Sequence, residues 1–72
     1  MQTAPSIGRG IAAEDAQAII DVVKAKTEEE IVEVRLGEYG PEVRTGRLYG
    51  HIWQVRKAKA GWKVLYGQQW CT

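Results

Sequence analysis

Residues 49–70 alternate between apolar and polar positions with a period of two, the strongest pattern in the chain. Tyr49, His51, Trp53 and Val55 form one row, a short loop at residues 58–61 follows, and Trp62, Val64, Tyr66, Gln68 and Trp70 form a second row. Such alternation marks half-buried strands, so the segment predicts a long β-hairpin. If the loop sets Lys57 opposite Trp62, then Val55 faces Val64, Trp53 faces Tyr66, His51 faces Gln68 and Tyr49 faces Trp70. That pairing gathers all three tryptophans on one face, which becomes the buried one, and leaves Arg56, Lys63 and Leu65 on the other.

Upstream the period changes. Ala12, Ala16, Ile19, Ile20 and Val23 make one stripe of an amphipathic helix over residues 11–26, with Glu14 and Asp15 early and Lys24 and Lys26 late, as the helix dipole favours. Thr27 and Glu30 have the spacing of a capping box. The β-branched Ile31, Val32 and Val34, alternating onward with Glu33 and Arg35, instead make residues 30–36 the first strand. Two glycines and a proline mark residues 37–41 as a turn. Residues 43–57 read as a second strand, bent or bulged at Gly46 and Gly50, and residues 62–70 as a third. Residues 1–10, with Pro5, Ser6, Gly8 and Gly10, read as a flexible leader, and residues 11–72 as a single domain. The predicted fold is α+β: one N-terminal amphipathic helix packed on a curved three-stranded antiparallel sheet, in the order helix, strand, strand, strand.

The run Ile52-Trp53-Gln54-Val55-Arg56-Lys57, a short loop ending in Gly61, then Trp62-Lys63-Val64-Leu65-Tyr66 and Trp70 resembles the closing hairpin of NTF2-like and cystatin-like domains. The resemblance covers the C-terminal hairpin and, more loosely, the order of helix and strands. It implies a cystatin-like or reduced NTF2-like sheet curved around a helix, frequent dimerisation through the sheet, and roles ranging from enzymes to pure binding modules. The Asp and His residues that serve NTF2-like isomerases and dehydratases are not carried over, since His51 has no acidic residue on its strand face.

With 72 residues the chain stands near the lower limit for a core without staples. One cysteine, Cys71, and one histidine, His51, make neither an internal disulfide nor a zinc spacing, so no metal or cofactor is expected. This cysteine usage points to a reducing, cytoplasmic setting. No segment has the make-up of a signal peptide or a bilayer span, which predicts a soluble protein without a membrane partner. The net charge of +1 hides an asymmetry: residues 1–30 hold three cations against six acids, and residues 31–72 hold seven against three. A basic sheet half and an acidic helix half attract each other, a second copy, or an anionic partner.

A helix of about 16 residues spans about 24 Å and leaves one end of a long hairpin uncovered. Tyr49, His51, Trp53, Tyr66, Gln68 and Trp70 are therefore the expected ligand or interface residues. The leading expectation is a small non-enzymatic binding protein that forms a homodimer through this aromatic surface, with a protein partner or a small apolar ligand as further occupants. One alternative is nucleic-acid binding, with Arg44, Arg47, Arg56 and Lys63 as phosphate contacts. Against it stand the low net charge and the placement of the aromatic rows opposite Arg56 and Lys63. A second alternative is a small enzyme using His51 as acid or base in an aromatic cavity, although no nucleophile, metal partner or orienting carboxylate is placed beside it by the sequence. No catalytic set is assigned. The glycines at 8, 10, 37 and 40 read as turn chemistry, Glu28-Glu29-Glu30 as a solvated connection, and Cys71 as an ordinary terminal thiol.

Overall fold

A computed structural model describes residues 4–71. The elements run β1 (Ser6–Ile7), α1 (Ala13–Lys24), β2 (Ile31–Gly37), β3 (Gly40–Thr45), β4 (Tyr49–Ala58) and β5 (Gly61–Cys71). The strands form one sheet in the spatial order β1-β2-β3-β4-β5. β1 lies parallel to β2, and every other neighbouring pair is antiparallel. The broad α+β class holds, but the expected three-stranded antiparallel sheet is replaced by a five-stranded mixed one.

Two local causes make this difference. The expected second strand, residues 43–57, is two strands folded back on each other, with Val43 opposite Trp53 and Thr45 opposite His51. Gly46 and Gly50 therefore mark a chain reversal and not a bend. Gly46 has φ +87°, a region that glycine enters without steric cost, and a Cβ built on Gly50 would stand 1.9 Å from the Thr45 carbonyl oxygen. The other cause is Ser6–Ile7, which pairs with Glu33 and Val34, while the Gly8 amide donates to the Val34 carbonyl at 2.7 Å. Part of the expected leader thus enters the sheet; residues 1–3 of it lie outside the described residues. A two-residue strand is too short to show any periodicity.

The helix is shorter than residues 11–26. Gly10, with φ +88°, shapes its approach, and its exit is a turn in which the Glu29 amide donates to Thr27 Oγ1 at 3.1 Å. Ala16, Ile19 and Val23 are its buried stripe. Ile19 and Val23 pack on Ile31, Val34, Val43 and Val55, and Trp53, Trp62 and Val64 close the margin of this core. Removing such side chains from water supplies the main driving force for folding, about 1.5–3 kcal/mol for each fully buried one. Among the described residues no helix is long and apolar enough to cross a membrane.

Candidate functional site

The hairpin of β4 and β5 begins as its sequence predicts, with Lys57 opposite Trp62 and Val55 opposite Val64. It then departs. Gln54 is opposite Tyr66, so Leu65 is an extra residue on β5, and beyond this bulge Trp53 faces Gly67, His51 faces Gln69, Gly50 faces Trp70 and Tyr49 faces Cys71. One inserted residue turns every later side chain of β5 to the opposite face. The reason is steric: a Cβ on Gly67 would lie 2.7 Å from the Trp53 ring, so only a glycine accommodates the indole there. The single aromatic face predicted from alternation is therefore divided. His51, Trp53 and Trp62 stand on the helix side, and Tyr66, Gln68 and Trp70 on the outer side with Arg56 and Lys63.

On the helix side the six expected residues contribute only a pair, joined by partners from elsewhere. The His51 and Trp53 rings lie 5.1 Å apart at 35°. Trp53 Nε1 donates to Thr45 Oγ1 at 2.9 Å, and that hydroxyl donates to Glu29 Oε1 at 2.7 Å. His51 Nδ1 lies 3.0 and 3.2 Å from the two Glu29 oxygens. An ionised carboxylate only accepts, so Nδ1 carries the proton and, in the neutral ring, Nε2 holds the lone pair. The end of the sheet expected to stay open is closed by Glu29, a residue of the connection that reads from sequence as merely solvated. Its neighbour Glu30 binds the Arg47 guanidinium by two bonds, the longer 3.1 Å, and accepts the Gly46 amide on its carbonyl at 2.8 Å. The helix-to-β2 connection is thus clamped onto the β3–β4 reversal.

This order of groups is hydroxyl, carboxylate, imidazole. A nucleophilic triad needs the imidazole between the other two. Thr45 is fully buried and both its hydroxyl functions are occupied, so it presents no attacking oxygen. Among the described residues no three His, Cys, Asp or Glu side chains converge as a metal site.

The Thr45 hydroxyl, and after it the His51 ring, holds the Glu29 carboxyl below its ordinary range, against the opposing effect of burial. A depressed carboxylate stabilises the fold at pH values above its unfolded pKa and loses that contribution as pH falls through the folded one. Glu29→Gln is therefore expected to cost about 1–2 kcal/mol at pH 7 and progressively less below about pH 4. Urea unfolding of both proteins between pH 7 and 3 checks this, and a gap independent of pH would show that the carboxylate charge is not what the clamp uses.

On the outer side Trp70 Nε1 donates to the Thr45 carbonyl at 3.0 Å and the Arg44 guanidinium sits 4.3 Å above the Trp70 ring. Arg35 and Gln54 both bind Glu42, at 2.6 and 2.7 Å. Tyr66 is 54% and Tyr49 70% exposed, and Gln68 is exposed. Of the expected phosphate contacts, Arg47 is taken by Glu30 and Arg44 by Trp70, while Arg56 and Lys63 stand directly opposite each other and exposed. Two open grooves of about 420 and 360 Å³ flank the helix-to-β2 connection, and none of the six expected ligand residues lines either.

Thr45 and Glu29 are absent from the sequence-based site because they are distant along the chain from β5 and follow no period. Gly67 was the available signal, since a glycine inside a strand marks a bulge or a close approach. The structure defines an α+β domain with an antiparallel-rich sheet, a structural clamp on one face and an aromatic, basic surface on the other. The chain matches no protein-family profile, and no curated protein or solved structure matches it significantly.

Proposed function

We propose that the chain is a small binding protein that works as a homodimer joined along β5. The observation that carries this reading is the edge itself: β5 has 11 residues and, among the described residues, neighbours only β4 in the sheet. Unpaired strand edges attract further strands, and natural proteins blunt them with charge, proline or bulges. Here Lys63 and the Leu65 bulge protect only the half near the loop, and residues 66–71 contain no charge and no proline. Antiparallel pairing of two β5 strands about a two-fold axis satisfies both edges and sets the exposed side chains of one copy beside those of the other, with the faces of the sheet left open. The likeness of the hairpin to NTF2-like and cystatin-like domains supports the same use of the sheet for association. Exposed, unpaired Cys71 suits a reducing compartment, and we place the protein in the cytoplasm.

Light scattering tests the dimer. At micromolar concentration the protein is expected at twice its chain mass, and Tyr66→Lys/Gln68→Lys, which brings like charges together across the axis, is expected to be monomeric with an unchanged circular dichroism spectrum. A wild-type monomer at every concentration removes this reading.

A further inference from the structure

The geometry points to a single-stranded nucleic-acid surface on the outer face and tip of the β4–β5 hairpin. Beyond Glu42 the sequence holds six Lys and Arg residues and no Asp or Glu. Glu30 pairs with Arg47 and Trp70 stacks on Arg44, which leaves Arg56, Lys57, Lys59 and Lys63 around the hairpin tip. All four are exposed, and among the described residues none has a carboxylate partner. Arg56 and Lys63 are moreover direct cross-strand partners. Like charges at such positions destabilise a sheet. Bound phosphates would remove that repulsion.

The bulge supplies the second half of the argument. By turning β5 over after Leu65 it brings Tyr66 and Trp70 to the face that carries Arg56 and Lys63, which removes the objection that the aromatic rows lie opposite the basic ones. Tyr66 and Trp70 are four residues apart along one strand, about 13 Å, and Tyr66 is half exposed. A sheet face with a free aromatic ring, Gln68 and a guanidinium-capped indole offers bases a stacking surface, while the cationic tip receives the backbone. Stacking needs unpaired bases, so the occupant is a single strand. Unlike self-association along the β5 edge, this surface uses the face of the sheet and does not depend on the dimer.

Fluorescence anisotropy of the full chain with a labelled oligothymidylate of about 15 nucleotides tests the assignment. Four phosphate contacts give a salt slope of about −3, so binding should weaken about 50-fold between about 50 and 200 mM salt. Arg56→Glu/Lys63→Glu should lower affinity more than 10-fold at low salt and roughly halve the slope, and Lys57→Glu/Lys59→Glu, on the loop side, should do the same. Tyr66→Ala should weaken binding about 10-fold while keeping the slope. Gln69→Glu, exposed on the helix-side face of β5 and outside this surface, brings like charges together along the paired edges and should lower the mass to that of the monomer without losing salt-dependent binding, which separates failure of this surface from failure of the dimer. Absence of binding at low salt, equal or tighter binding to a duplex of the same length or to phosphatidylserine vesicles, or charge-reversed variants that bind as the wild type would each overturn it.

Discussion

Gly50→Ala is expected to lower the unfolding free energy by at least about 3 kcal/mol at 25 °C, the largest loss of any single substitution considered for this chain. The added Cβ would stand 1.9 Å from the Thr45 carbonyl oxygen, 2.7 Å from the Thr45 carbonyl carbon and 3.0 Å from Gly46 Cα. All three are backbone atoms, so no rotamer change relieves the overlap and the β3–β4 reversal must open. The strands lost in that opening are central to the sheet, and with them goes the seat of Val43 and Val55 in the core. A domain of this size has about 4–11 kcal/mol of stability in all, and forced strain of this kind in a packed reversal costs at least about 3 kcal/mol. Gly40→Ala is the control: Gly40 has φ +111° but no atom within 4 Å of an added Cβ, so its cost is conformational only, about 1–2 kcal/mol. Urea titrations followed by circular dichroism compare the two, and a Gly50→Ala midpoint near that of the wild type would mean that the reversal is not held as closely as described.

Thr45→Val is expected to cost about 2–4 kcal/mol although it barely changes shape. Thr45 is fully buried and its hydroxyl links the Trp53 indole to the Glu29 carboxylate. Valine leaves the indole N–H without its acceptor and takes from the carboxylate its shortest bond, and each polar group left unsatisfied costs about 1–3 kcal/mol. Thr45→Ser keeps both bonds and loses one methyl group, so it should cost about 1 kcal/mol. A double-mutant cycle between Thr45→Val and Glu29→Gln should show a coupling above about 0.5 kcal/mol. Additive effects would show that the hydroxyl and the carboxylate act independently.

These two sites also show what alternation along a chain conveys. The stripe of Ala16, Ile19 and Val23 was legible because a helix repeats on a local period that any amphipathic segment must obey. Likewise the loop of the last hairpin and its first pairs, Lys57 with Trp62 and Val55 with Val64, follow from turn length and strand pattern. The pairing failed at Leu65, where one residue left the count. A period of two carries no record of such an insertion, so the reading continued in phase and assigned Tyr66 and Trp70 to the wrong face. The same limit applied at Gly46 and Gly50, which mark a bend and a reversal alike until the partner strand is known.

By itself the sequence determined the helix and its buried stripe, the strand-rich C-terminal half, the turns near residues 37–41 and 58–61 and the basic character of the chain after Glu42, all properties of neighbouring residues. Only the tertiary structure decided that Ser6–Ile7 joins the sheet, that β3 and β4 are separate strands, that Glu29 meets Thr45 and His51, and that the aromatic residues divide between two faces. Each of these is a contact between different segments of the chain; the reversal and the division of the aromatic residues turn on whether Gly50 clears Thr45 and Trp53 clears Gly67. Close packing decides such questions at distances of an ångström, a scale that the order of residue types does not carry.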